Sequence, residues 1–344
     1  PASDPHLFGP LLLVCAYIPV VAVASVGRLR LRTGAIWLLV ATAVLALLGL
    51  HDVARQAAES LTSPPNLSAP MLGFVAVALF IAHHLVAPAD AERRWIASFP
   101  AYFDQAWKAG VQLALALGFT GAFWLLLHLG AALFRIIGLP FLQELILHDW
   151  FALPISGLVF ALAVHLTDVR DGLIRGVRTV GLMLLSWLLL VMTVLVAAFL
   201  IALPFTGLQG LWRTGSATAL VLAAAAALIV LINTAYQDGR PDNLPPAVLR
   251  IAVGVAAVLI TPLVLIAFWG LGLRIGQHGL TPDRIIALAC ALVGAAYAVG
   301  YGAAALVPLF RRGSAWMKAL ETTNIATAVL EVAVILALFS PLAD

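Results

Sequence analysis

Ten stretches of this chain are apolar over the length a helix needs to cross a bilayer. They lie near 7–27, 34–51, 69–88, 109–136, 150–167, 179–203, 215–236, 247–273, 284–307 and 323–341. At about 1.5 Å of rise per residue, each covers most or all of a hydrocarbon core about 30 Å thick once tilt is allowed. Hydrophobic residues make up 63% of the chain and charged residues only 10%, too little charge to clothe a water-soluble domain of 344 residues. The fold expected is an all-α, polytopic helical transmembrane bundle forming one domain over residues 1–344. The bilayer is its first partner.

The basic residues set the expected threading. Fourteen of the nineteen Lys and Arg fall in alternate gaps: Arg28, Arg30 and Arg32; Arg93, Arg94 and Lys108; Arg170, Arg175 and Arg178; Arg240 and Arg250; Arg311, Arg312 and Lys318. The other five, Arg55, Arg135, Arg213, Arg274 and Arg284, fall between them. Loops rich in Lys and Arg stay in the cytoplasm, so both ends of the segment are expected on the extracytoplasmic side of a bacterial inner membrane. A net charge of only +3, dispersed over span ends, argues against nucleic acid. The first span has Asp4 before it and no basic lead, so it does not read as a signal peptide. A processed protein and a segment of a longer one both fit.

Two connecting segments have amphipathic spacing. Within 90–108, Trp95, Phe99, Tyr102, Phe103 and Trp107 recur opposite Glu92, Arg93 and Asp104, with Pro100 as a bend. Within 139–149, Phe141, Leu142, Leu145 and Ile146 oppose Gln143, Glu144, His148 and Asp149. Both are expected as interfacial helices.

Ionisable groups inside spans are the strongest functional pointers in such a chain. Glu331 sits among Ala328, Val329, Leu330, Val332, Ala333 and Val334. A charged carboxylate there costs on the order of 2.5–3.5 kcal/mol, so it must face the bundle and find a partner or a proton. His128 lies deep in the fourth span. Glu331 and His128 are the candidate intramembrane polar site. Asn233 and Asn324 read as glue between helices, and Tyr297 and Tyr301 share one face of a span rich in Gly and Ala. Pro19 and Pro262 interrupt their helices' hydrogen bonds.

Two groups at span ends carry metal-compatible residues. The outer-face cluster is His51, Asp52, His148, Asp149, His278 and Asp283. The inner one is His83, His84, His165, Asp168 and Asp238. His and carboxylate suit several metals, but span ends are polar anyway and no HExxH-type spacing occurs. No catalytic set, cofactor site or metal site is assigned. Cys15 and Cys290 lie apart in apolar stretches and read as buried and inert.

The run Tyr236-Gln237-Asp238-Gly239 is followed by Gly272-Leu273-Arg274-Ile275 and by Gln277 to Arg284. With Arg28 to Arg32 and the closing Phe339 to Asp344, these runs resemble a bacterial membrane-protein family catalogued as domain of unknown function 4153. The resemblance covers nearly the whole chain and implies the membrane portion of longer proteins. Those have a further N-terminal helix and a soluble C-terminal region. It implies a fold and no activity. The foremost functional expectation is a non-enzymatic scaffold or partner subunit with a membrane or extracytoplasmic protein partner. A transporter or channel for a small solute, proton or lipid, using Glu331 and the kinked spans, is the alternative. A membrane-embedded enzyme at the outer face comes third.

Overall fold

A computed structural model describes residues 5–56, 67–168, 171–207, 216–310 and 314–343. The described residues form eleven α-helices and no strand, and ten of the helices are long and apolar enough to cross a membrane. They are α1 Pro5–Ser25, α2 Leu31–Gln56, α3 Ala69–Glu92, α4 Phe99–Ile136, α5 Phe141–Leu147, α6 Asp149–Asp168, α7 Asp171–Thr206, α8 Ala217–Tyr236, α9 Ala247–His278, α10 Pro282–Phe310 and α11 Lys318–Leu338. This is a multi-pass helical membrane protein.

The contacts gather into two units, residues 1–102 with 185–344, and residues 103–184. In the larger unit α9 is the central helix, packed by α8 and α10. Val253, Ala256, Ala257, Ile260, Leu263 and Ala267 are fully or almost fully buried along it. Their spacing of three and four residues makes one continuous stripe, and its small members bring the neighbouring backbones close. The Gly-rich face of α10 does the same. A Cβ on Gly294 would lie 3.3 Å from Val264 of α9, and Gly300 is seated directly against the Thr323 side chain of α11. A second apolar nucleus joins α1, α2, α3 and α11 through Leu13, Leu45, Met71, Val75, Ile335 and Phe339.

Contacts within the larger unit support the alternation read from the charges. Arg30 in the first gap bonds Asp90 at the end of α3, Phe99 packs on Tyr236, and Tyr236 bonds Glu321. The first, third, seventh and ninth gaps therefore share one end of that unit. In the smaller unit, Arg178 reaches Asp104 at 3.0 Å and Gln112 donates to Asp168 at 3.3 Å, joining the start of α4 to the fifth gap.

Residues 90–108 do not form a helix of their own. Arg93 takes a left-handed conformation (φ 55°) that stops α3, and residues 93–98 are a turn. From Phe99 the chain is one 38-residue helix. Pro100 is its second residue, where no intrahelical donor is needed, so it starts the helix instead of bending it. Residues 141–147 are the short helix α5, whose Phe141 ring meets Phe134 at 5.3 Å. Cys15 and Cys290 are not buried: Cys15 lies on an exposed helix face, where lipid receives a thiol as readily as a protein interior does, and Cys290 borders an open cavity.

Candidate functional site

α11 carries Glu321, Asn324 and Glu331 on one side, three and seven residues apart, a spacing that keeps them in register on a helix. Glu331 lies about 20 Å along the axis from Lys318. It borders a half-open cavity of about 510 Å³ between α3, α8, α10 and α11. The walls are apolar: Phe74 and Val77 from α3, Leu222, Ala226 and Ile229 from α8, and Val293 from α10. The polar groups facing it are the Glu331 carboxylate, the Tyr297 hydroxyl and the Cys290 thiol. Tyr297 stands beside the Glu331 carboxyl group and interacts with it, and the two face the cavity together. Small residues of α10 and α8, Ala289, Gly294 and Ala223 among them, leave the space that larger side chains would fill.

Behind Tyr297 the polar surface continues. Its ring meets Tyr301 edge-on at 5.4 Å. The Tyr301 hydroxyl donates to Asn324 Oδ1 (2.6 Å), Asn324 Nδ2 donates to Asn233 Oδ1 (2.7 Å), and Asn233 Nδ2 donates back to the Tyr301 oxygen (2.9 Å). This closed ring of three hydrogen bonds fastens α8, α10 and α11 together around a fully buried tyrosine. At the helix ends Tyr236 donates to Glu321 at 2.6 Å. Asp238 accepts from the Arg240 backbone and from Asn243, which holds the Tyr236–Gly239 turn closed.

An Asn324→Leu variant should lose about 1–2 kcal/mol of stability, because the Tyr301 hydroxyl and the Asn233 carbonyl lose their partners in a dry interface. Chemical unfolding in detergent checks this. The double variant with Tyr301→Phe should cost clearly less than the two singles added. Additive losses would mean that the three side chains do not act as a ring.

The other sequence candidates fall out differently. His128 belongs to the smaller unit, where it is exposed beside Trp124, with ring centroids 5.8 Å apart. Glu331 belongs to the larger unit. Among the described residues no three His, Cys, Asp or Glu side chains approach closely enough to hold a metal ion. Of the outer group, Asp52 is wholly buried as an N-terminal anchor for α3, accepting from the Ser68 backbone (2.7 Å) and from Arg55 (2.6 Å). His51 adjoins it in sequence. His148 stacks on Trp150 at 6.4 Å, with Asp149 opening α6. His278 ends α9, where Arg284 binds its carbonyl oxygen at 3.1 Å, and Asp283 is exposed in the first turn of α10. Of the inner group, His83 and His84 are buried on α3. His84 Nδ1 donates to the Phe80 carbonyl at 2.7 Å, and neither ring nitrogen of His83 has a hydrogen-bond partner among the described residues. His165 is exposed in the smaller unit, where Asp168 takes the Gln112 amide. Pro262 borders a shallow apolar hollow of about 690 Å³ with Leu203, Pro204 and Ile266.

Comparisons of the chain with protein-family models, with curated proteins and with solved structures return no match. The functional argument rests on the Glu331 cavity itself.

Proposed function

We propose that this chain is a polytopic protein of a bacterial cytoplasmic membrane, with both ends of the segment extracytoplasmic. In this reading it takes a small lipophilic cation into the Glu331 cavity and serves its movement across or within the bilayer. Kinship with the family of domain of unknown function 4153 belongs to the same proposal. The observation that carries it is the Glu331 carboxyl group, with Tyr297 beside it, facing an otherwise apolar cavity of about 510 Å³. That volume falls in the range of small-molecule sites, which pair apolar walls with few placed polar groups. In so dry a place a carboxylate and a ligand cation each remove the other's burial cost. Tyr297 flanks the carboxylate and the apolar walls take the ligand's body.

The test is saturable binding of tetraphenylphosphonium to the purified chain in detergent, read by equilibrium dialysis. Wild type should bind it, and Glu331→Gln should bind about ten- to a hundredfold more weakly, the usual range for losing a charged partner. Tyr297→Phe should weaken binding less. Equal binding by wild type and Glu331→Gln would return Glu331 to a packing role and the chain to a scaffold.

A further inference from the structure

The turn that ends α3 builds a second, chemically different pocket in the larger unit. It is a furrow of about 990 Å³ between α3 and α11, with Arg30, Arg93 and Arg94 at its head. The left-handed Arg93 and the bonds from the Arg93 and Arg94 amides to the carbonyls of Asp90 and Ala89 set two consecutive arginines on the furrow's rim. The floor is apolar: Leu85 and Val86 from α3, with Ile325, Ala326 and Val329 from α11. Trp95 stands at the lip, fully exposed.

The acidic neighbours are already engaged. Asp90 is buried and accepts from the Arg30 amide (2.8 Å), from Arg30 Nε (2.8 Å) and from the Thr33 hydroxyl (2.6 Å), with Arg30 Nη2 at 2.6 Å. Glu92, whose charge also faces Arg94, accepts the Ser98 amide and hydroxyl at 2.8 and 2.5 Å. The Arg93 and Arg94 guanidinium groups make no hydrogen bond among the described residues, and Arg30 keeps its Nη1 edge open. Cationic groups therefore dominate the head of the furrow, over a floor that continues for about 10 Å along α11.

We propose that this furrow seats one anionic phospholipid, its phosphate on Arg30, Arg93 and Arg94 and an acyl chain along the α3–α11 floor. Guanidinium forks match phosphate oxygens two at a time. Basic pockets between membrane helices are suited to anionic headgroups, and an exposed tryptophan beside them belongs at headgroup depth. A soluble phosphate would use the arginines and leave the apolar floor uncovered. The floor decides for a lipid.

Native mass spectrometry of the full chain, released from detergent with phosphatidylglycerol or phosphatidylcholine, tests this. Wild type should retain phosphatidylglycerol in preference to phosphatidylcholine, and excess inorganic phosphate should not displace it. Arg93→Gln with Arg94→Gln should weaken phosphatidylglycerol binding about thirtyfold, the loss of two near-surface charges. Arg250→Gln, an exposed arginine that does not line the furrow, should bind as wild type does. Ala326→Phe fills the floor with every arginine in place, and should lose the lipid while keeping the wild-type melting temperature. Equal retention of the two lipids, or an unchanged double variant, overturns the proposal. Displacement by inorganic phosphate, or full lipid binding by Ala326→Phe, overturns the choice of a lipid. A double variant that does not fold leaves Ala326→Phe and the lipid comparison to decide.

Discussion

A Gly49→Leu variant should unfold in detergent well below the wild type, by about 2–3 kcal/mol. α1 and α2 cross with their backbones in contact at this point. A Cβ on Gly49 would sit 2.9 Å from the Cα of Pro10 and 3.0 Å from its nitrogen. Gly9 answers from the other helix, where a Cβ would lie 2.5 Å from Val53 Cγ2 and 3.3 Å from the Gly49 carbonyl. A flexible side chain can turn away from an intruding methyl group, and a backbone cannot. The only relief is to part the helices, which uncovers Leu13 and Leu45. Leucine's better helix propensity returns about 1 kcal/mol, and overpacking against backbone costs more, at or beyond the top of the usual 1–3 kcal/mol. Lipid tails are as apolar as leucine, so tight packing holds such helices together and no gain in burial replaces it. Gly73→Leu on α3 is the matched control: nothing lies within 4 Å of its Cβ position, so it should match or exceed wild-type stability. A Gly49→Leu melt at the wild-type temperature would disprove the close crossing.

Gly239→Asn should be at least as damaging, at about 3 kcal/mol, even though asparagine tolerates left-handed backbone. Gly239 has φ +70°, and its Cβ would lie 2.5 Å from the Tyr236 hydroxyl and 2.7 Å from Glu321 Oε1. A side chain there drives the carboxylate off the tyrosine and leaves both groups without their partner, at about 1–3 kcal/mol for each buried group left unsatisfied. At Gly138 the backbone is also left-handed (φ +84°), set in a helix-ending turn where the Leu139 amide donates to the Phe134 carbonyl at 2.9 Å, but nothing among the described residues lies within 4 Å of its Cβ position. Gly138→Asn should therefore cost only a few tenths of a kcal/mol. Thermal unfolding of the two variants separates steric collision from backbone strain. Matching losses at both positions would mean that backbone conformation, and not the Tyr236–Glu321 contact, governs the turn.

The spans were legible because a lipid solvent demands long apolar runs whatever the tertiary fold. Their ends were less so. α4 begins at Phe99 and α7 at Asp171, several residues outside the apolar runs, because charged turns such as that around Asp104 can be helical without being apolar. Glu331 stood out as a lone carboxylate among alanines and valines, and Tyr297 and Tyr301 fell on one face by spacing alone. The ring of Tyr301, Asn233 and Asn324 could be expected only as polar glue. Which helix meets which is a property of the bundle and is written in no single segment. The thiols were misleading for a related reason: an apolar neighbourhood in sequence does not distinguish a protein interior from an exposed helix face. Arg30, Arg93 and Arg94 were read as threading signals, and their convergence on one furrow depends on the left-handed stop at Arg93.

The walls of the Glu331 cavity are fastened by different means. α8, α10 and α11 are pinned to one another by the Tyr301–Asn233–Asn324 ring and by Tyr236 on Glu321, bonds that fail together if α11 turns about its axis. α3 meets α11 there through Phe74 against Phe339 and through Val75 near Ile335, contacts without directional demand that can slide past one another. In the proposed role a guest meets its weakest fastening on the greasy side: α3 would be the door, and the three-helix frame its jamb.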